Sequence, residues 1–246
     1  MKRFGLIGKT LKHSFSQQYF TEKFEALGID AVYENFELPN IDGFTNLIAE
    51  KPKLSGLNVT IPYKTEIIPF LDRVDSAAKQ IGAVNTVAFE NGKTIGYNTD
   101  AIGFKKSIKP FLAHGMERAL ILGTGGASCA VHSVLSELGL DVLFVSRNPT
   151  GQQQIAYSDI NENALKAFRL IVNTTPLGMH PNTESSPPIP YAYLSDQHLL
   201  YDLVYNPAET KFLKLGKKAG AETVNGLAML HLQAEASWEI WTSQSE

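Results

Sequence analysis

Short apolar runs alternate with stretches in which apolar positions recur every three or four residues, nearly from one end of the chain to the other. That alternation predicts strands followed by helices, the pattern of a parallel sheet with helices packed on its faces. In the first hundred residues, 3–8, 32–38 and 54–60 are predicted as strands. Helices are predicted over 17–27, ended by Gly28, over 42–50, and as a short stretch over 65–71 behind Pro62. The period then changes. Segments 86–90 and 93–96 flank Asn91-Gly92, a pair in which both residues tolerate positive φ, so a tight hairpin is expected to close a first domain.

Beyond it, a helix over 101–112 leads to a buried strand over 118–123, a helix over 127–138 and a strand over 141–146. Gly123-Thr124-Gly125-Gly126-Ala127-Ser128 lies where the first strand turns into the helix. In this βαβ setting the glycines permit a tight turn and let backbone N–H groups approach a pyrophosphate at a helix N-terminus, so the stretch is read as dinucleotide-binding. An enzyme that prefers NAD places a carboxylate about 20 residues further on, to take the ribose hydroxyls. Here that place reads Ser146-Arg147-Asn148. A guanidinium and a hydroxyl suit a 2′-phosphate, which favours NADP. The crossover after Arg147 is interrupted by Pro149–Gly151, and helical spacing returns only over 162–168. Strands over 170–173, 198–204 and 222–224 follow, with helices over 209–218 and 227–241; the segment 181–190, rich in proline and serine, is read as an irregular excursion.

Composition narrows the function classes. The 246 residues are 43% hydrophobic and 19% charged, enough to bury a full core and between one large domain and two small ones. A net charge of -3, with no basic run longer than a pair, argues against nucleic acid and against an anionic membrane surface as partners. The single cysteine, Cys129, excludes a disulfide framework and a thiolate metal cluster and fits a reducing cytoplasm; the six histidines are scattered, and no metal site is expected. The apolar run 4–7 stops at Gly8, too short for a secretory core or a membrane span.

Two motifs carry the candidate chemistry. Asn58-Val59-Thr60-Ile61-Pro62-Tyr63-Lys64 and Asn98-Thr99-Asp100 each end a strand-like segment studded with Asn and Thr, where polar side chains can converge on a small ligand around an acid/base pair, Lys64 and Asp100. With these, His13-Ser14-Phe15-Ser16, Gly82-Ala83-Val84-Asn85-Thr86, the glycine turn, Asn173-Thr174-Thr175-Pro176-Leu177-Gly178-Met179, Tyr201-Asp202-Leu203-Val204-Tyr205 and Gly226-Leu227-Ala228-Met229-Leu230 followed by Gln233 occur in one order. On these eight motifs the chain resembles the shikimate dehydrogenase family over nearly its whole length. The resemblance implies an α/β protein with an N-terminal substrate domain, residues 1–100 completed by 226–246, and a Rossmann-like NADP domain, 101–225. It also implies a cleft where the two meet.

The implied activity is the reversible reduction of 3-dehydroshikimate to shikimate by NADPH, a step of chorismate and aromatic amino acid biosynthesis. Carried over by position, the resemblance implies that Ser14 and Ser16 hold the substrate carboxylate, that Asn58, Thr60, Asn85 and Gln233 grip ring hydroxyls, and that Tyr205 closes the site. Lys64 would supply the proton and Asp100 would hold its ammonium, while Leu203 and Gly226 would lie by the nicotinamide. The chain departs from the family pattern at Gln17, where proline is common, at Asn225, where aspartate is common, and in lacking a second arginine after Arg147. Two rivals are a quinate/shikimate dehydrogenase with relaxed cofactor use and a non-catalytic metabolite sensor. A cytoplasmic monomer or homodimer is expected.

Overall fold

The computed structural model describes residues 1–243 other than 12, 13, 52, 113 and 114, so His13, the first residue of the opening motif, lies outside the described residues. The chain divides into two units: residues 1–99 with 234–246, and residues 100–233.

Unit 1 is built from β1 (Lys2–Gly8), α1 (Phe15–Leu27), β2 (Ala31–Glu37), α2 (Gly43–Glu50), β3 (Leu54–Val59), β4 (Arg73–Val74), α3 (Ser76–Ile81), β5 (Thr86–Glu90) and β6 (Lys93–Tyr97). Its six strands form one mixed sheet in the order β2-β1-β3-β5-β6-β4. β1 lies parallel to both β2 and β3, whereas β5 runs antiparallel to β3 and β6. Alternation along β1 sends Phe4 and Leu6 to one core and Ile7 to the other. The first core is aromatic, with Phe20, Phe24, Tyr33 and Trp241 around Phe4; the second gathers Leu57, Val59, Tyr63, Ile67, Val84 and Val87. At Asn91-Gly92 both residues take positive φ, 50° and 76°, which gives the expected tight hairpin.

One predicted helix is replaced by a 3₁₀ turn and another ends early, and proline is the reason in both. Over 65–71 only a 3₁₀ turn, Ile68–Phe70, forms: Pro69 has no N–H to bond the carbonyl of Thr65, which takes the Ile68 N–H at 3.4 Å instead. The helix predicted over 101–112 is α4 (Thr99–Ile108), and a 3₁₀ turn containing Pro110 takes over at Lys109–Phe111. In the other direction, α3 was not anticipated, although its signals are in the chain: Asp75 caps Ala77 N–H at 2.9 Å, and Gly82 ends the helix at φ 74°.

Unit 2 comprises most of α4, then β7 (Arg118–Leu122), α5 (Gly126–Glu137), β8 (Asp141–Ser146), β9 (Gln154–Ala156), α6 (Glu162–Ala167), β10 (Leu170–Asn173), β11 (Leu199–Asp202), α7 (Lys211–Lys218) and β12 (Glu222–Val224). All six strands are parallel, in the order β12-β11-β10-β7-β8-β9. This is the doubly wound arrangement of a Rossmann fold, whose strand order reverses between β7 and β10. Its strands are buried on both faces, Leu120 and Leu122 in one core and Ala119 and Ile121 in the other.

The last helix, α8 (Leu227–Ser243), begins in unit 2 and ends in unit 1. Its C-terminal part returns to the N-terminal domain, where Trp241 lies in the aromatic core and donates from Nε1 to the Val87 carbonyl at 3.1 Å. Gly56 of β3 makes room for that indole, since a Cβ there would come within 2.4 Å of it.

Candidate active site

At one end of the unit 1 sheet the backbone draws two of the candidate segments together and ties them to β1. Val59 N–H donates to the Asn85 carbonyl at 2.8 Å, Val84 N–H to the Lys64 carbonyl at 2.7 Å, and Thr60 N–H to the Ile7 carbonyl at 2.9 Å. Asn58, Thr60, Lys64 and Asn85 are therefore held by main-chain bonds independent of their side chains. Asn58 and Asn85 are nearly buried, at 5% and 3% exposure, so their amides need partners. Asn58 Oδ1 accepts from Tyr33 Oη at 2.8 Å, and its Nδ2 donates to Ser237 Oγ at 2.9 Å, Thr86 Oγ1 at 3.2 Å and the Asn85 carbonyl at 3.3 Å. Asn85 Oδ1 accepts from Thr99 N–H at 2.6 Å, and its Nδ2 donates to Thr99 Oγ1 at 3.0 Å. Asn98 Nδ2 donates to the Ala83 carbonyl at 2.9 Å, which pins the start of the Asn98-Thr99-Asp100 motif to the Asn85 segment.

Ser14 is the N-cap of α1: its Oγ accepts from Gln17 N–H at 3.2 Å and keeps its own proton to donate. Ser16 lies in the first turn of α1 near Tyr33, whose phenol is pushed up by burial, with Ser16 opposing that rise. Both serines thus stand where a helix N-terminus favours an anion. Asp100 is buried in the first turn of α4, likewise a position that favours negative charge. Gln233, buried on α8, donates from Nε2 to the Leu230 carbonyl at 2.9 Å. Tyr205 is half-buried, and its burial raises its pKa.

In unit 2 the glycine turn follows β7 and opens α5. Gly123 has φ 106°, in the left-handed region, and its N–H donates to the Val145 carbonyl at 2.9 Å. Gly125 caps α5 with extended backbone, and a Cβ placed on it or on Gly126 would meet nothing within 4 Å. The space beside the N–H groups of 125–127 is open to a phosphate. Ser128, at the place of the usual third glycine, is fully buried and bonds the Gly125 carbonyl from Oγ at 2.6 Å, tightening the turn. At the end of β8, Ser146 Oγ accepts from Asn148 N–H at 3.2 Å, and Arg147 is exposed, its charge reaching Tyr157. These residues fit an NADP molecule: an open helix N-terminus for the pyrophosphate, a hydroxyl and a guanidinium for the 2′-phosphate, and no carboxylate at Ser146 or Arg147.

Leu203 and Gly226 meet directly. A Cβ on Gly226 would lie 2.1 Å from the Leu203 carbonyl oxygen, so only glycine fits there. The segment after β11 is held from three sides: Leu203 N–H donates to the Asn173 carbonyl at 3.0 Å, Val204 N–H to Asp202 Oδ1 at 3.0 Å, and Gly226 N–H to the Val204 carbonyl at 3.2 Å. Asp202 also takes Thr210 Oγ1 at 2.5 Å and Asn173 Nδ2 at 2.9 Å, and burial pushes its carboxyl up to about 6 against the pull of these bonds.

Reasoning from sequence named Asn58 and Asn85 but missed Tyr33 and Ser237, which hold Asn58. Ser237 carried a faint signal, a small polar residue in an apolar stretch of the last helix; Tyr33 carried none. Among the described residues, no group of three or more His, Cys, Asp or Glu is placed to hold a metal ion, and no helix is long and apolar enough to cross a membrane.

Comparison with known proteins bears on the same segments. The family described as Shikimate dehydrogenase substrate binding domain matches residues 6–87. A shikimate dehydrogenase (NADP(+)) of Methanococcus maripaludis is 42% identical over 98% of this chain and 91% of its own length. The structure of shikimate 5-dehydrogenase from Thermus thermophilus in complex with NADP(H) and shikimate is 33% identical, with a TM-score of 0.87, over 99% of this chain and 94% of that one. That of the Listeria monocytogenes enzyme in complex with shikimate and NAD is 28% identical, with a TM-score of 0.88, over 99% and 92%. With similarity of this extent along both units, the chain belongs to the shikimate dehydrogenase family.

Proposed function

We propose that this chain is an NADP-dependent shikimate dehydrogenase that reduces 3-dehydroshikimate reversibly to shikimate, a step toward chorismate and the aromatic amino acids. The observation that carries the proposal is the convergence of Asn58, Asn85 and the Lys64 backbone at one end of the unit 1 sheet, in a chain of this family that also has an open dinucleotide turn. When bound, NADPH supplies a hydride to C3 of the substrate. As negative charge grows on the C3 oxygen, the Lys64 ammonium stabilises it and gives up a proton, leaving a hydroxyl. Asp100 holds the ammonium and hydrogen-bonds the substrate. Ser14 and Ser16 donate to the substrate carboxylate at the start of α1, and Asn58, Thr60, Asn85 and Gln233 take the ring hydroxyls, with Tyr205 closing over them. A polyhydroxy acid demands such a set, because each ring hydroxyl stripped of water needs a replacement partner.

The N–H groups of 125–127, in the turn formed by Gly123, Thr124, Gly125, Gly126 and Ala127, would hold the pyrophosphate; Ser146 and Arg147 would hold the 2′-phosphate; Leu203 and Gly226 would border the nicotinamide. Arg147 without a neighbouring acid favours NADP over NAD. The reading extends to a cytoplasmic monomer or homodimer acting on free small molecules.

The test is consumption of NADPH by the purified protein with 3-dehydroshikimate, compared with NADH, and the reverse reaction with shikimate and with quinate. Turnover with NADPH that clearly exceeds turnover with NADH is expected, as is preference for shikimate. Equal use of both cofactors and both acids would replace this reading by a relaxed quinate/shikimate enzyme. Binding of 3-dehydroshikimate without NADPH consumption would replace it by a sensor.

A further inference from the structure

Three hydroxyl groups meet at the centre of the polar cluster in unit 1. Thr86 Oγ1 at the start of β5, Thr99 Oγ1 at the start of α4 and Ser237 Oγ on α8 lie 2.8 Å (Thr86 to Ser237), 3.1 Å (Thr86 to Thr99) and 3.1 Å (Thr99 to Ser237) apart. All three residues are fully buried. The triangle stands between two carboxamides: Asn58 Nδ2 reaches Ser237 and Thr86, and Asn85 Nδ2 reaches Thr99.

Two main-chain groups of fixed polarity decide which way those amides face. The Asn85 carbonyl can only accept, and Asn58 Nδ2 faces it at 3.3 Å; a flip would set two oxygens against each other. The Thr99 N–H can only donate, and Asn85 Oδ1 faces it at 2.6 Å; a flip there would set two donors together. With both amides so oriented, each sends a hydrogen into the triangle. Three mutually bonded hydroxyls can take those two hydrogens while passing their own protons among themselves and to Asn85 Oδ1, 3.2 Å from both Thr86 Oγ1 and Thr99 Oγ1. An apolar residue at a corner takes an acceptor away from the Asn58 or Asn85 Nδ2 hydrogens and a partner away from the other two hydroxyls, which weakens the hold on the orientation of the amides. Tyr33 closes the far side by donating to Asn58 Oδ1.

We propose that Thr86, Thr99 and Ser237 are positioning residues whose hydroxyl triangle locks the carboxamides of Asn58 and Asn85 in one polarity, and so sets how the substrate's ring hydroxyls are recognised. The inference rests on the proposed reading of Asn58 and Asn85 as ring-hydroxyl ligands. It assigns the C-terminal helix a part in substrate selection through Ser237.

The test compares shikimate with analogues lacking the C4 or the C5 hydroxyl, oxidised with NADP by wild type, Ser237→Ala, Thr86→Val and Thr86→Ser. For Ser237→Ala and Thr86→Val, kcat/KM for shikimate falls roughly tenfold, mostly through KM, and falls by less than about threefold for at least one deoxy analogue. The KM for NADP stays as in wild type. Thr86→Ser, which keeps the hydroxyl, retains wild-type discrimination. Equal losses with all three acids, or wild-type values with shikimate, overturn the proposal. Should the substituted proteins fail to fold, wild type still decides: the side-chain amide protons of Asn58 and Asn85 exchange slowly with solvent if the lock exists, and exchange at the rate of surface asparagines overturns it. If wild type does not oxidise shikimate at all, the assigned activity falls first. If it does, and the variants keep its discrimination, only the triangle falls.

Discussion

Lys64 is tied to the fold by its carbonyl, which accepts the Val84 N–H at 2.7 Å, so replacing its side chain leaves that backbone anchor in place. Lys64→Ala is therefore expected to lower kcat by roughly 10²–10⁴-fold with little change in KM, as for loss of a group that acts mainly in the transition state. Steady-state kinetics with 3-dehydroshikimate check this, and near-normal turnover would remove Lys64 from the proton-transfer role. Arg147 belongs to a different step. Being exposed on the chain after β8, it contributes charge rather than packing, and Arg147→Ala is expected to raise KM for NADPH by about tenfold while leaving KM for NADH nearly unchanged. Equal effects on the two cofactors would argue that the 2′-phosphate is held elsewhere. At this scale the sequence identified residue types at motif positions, but not their partners. That Tyr33 and Ser237 bracket Asn58 depends on chain segments 25 and 179 residues from Asn58, beyond any local pattern.

Among the elements, the end of β11 carries a titratable signature. The Asp202 carboxyl is raised from an ordinary 3.8 to about 6, chiefly by burial. A folded pKa above the unfolded one means that the folded state binds the proton more tightly. The resulting stabilisation is complete below about pH 4 and is lost as the pH climbs through about 6. The span corresponds to roughly 3 kcal/mol. Urea unfolding from pH 4 to 7 is expected to show wild type losing stability relative to Asp202→Asn by an amount of this order, with the two curves parallel above the span. Parallel curves throughout would mean that Asp202 titrates normally. The elements that were legible share a cause: β7, α5 and β8 are specified by apolar runs and by a glycine turn, all local properties. Those misjudged, over 65–71 and 101–112, are places where the apolar spacing suits a helix but a proline removes one backbone donor.

At the scale of the molecule, α8 is shared: its first turns count with unit 2 and residues 234–243 with unit 1. Ending the chain after Gln233 deletes Trp241, a residue whose loss from a core alone costs about 3–5 kcal/mol, together with Ala234, Trp238 and Ser237. Unit 1 is expected to lose its cooperative unfolding transition, while unit 2, which keeps every strand of its own sheet, still binds NADPH. Calorimetry and NADPH fluorescence titration separate the two, and a truncated protein with both transitions intact would refute the dependence of unit 1 on its last helix. The sequence by itself determined the α/β class, the doubly wound second half, the tight hairpin and the family, because apolar period, turn chemistry and ordered motifs are written in neighbouring residues. Only the tertiary structure decided that Tyr33, Asn58, Thr86, Thr99 and Ser237 share one buried polar cluster. A buried hydrogen bond is satisfied by whichever donor and acceptor the packing brings within about 3 Å, and separation along the chain does not enter that condition.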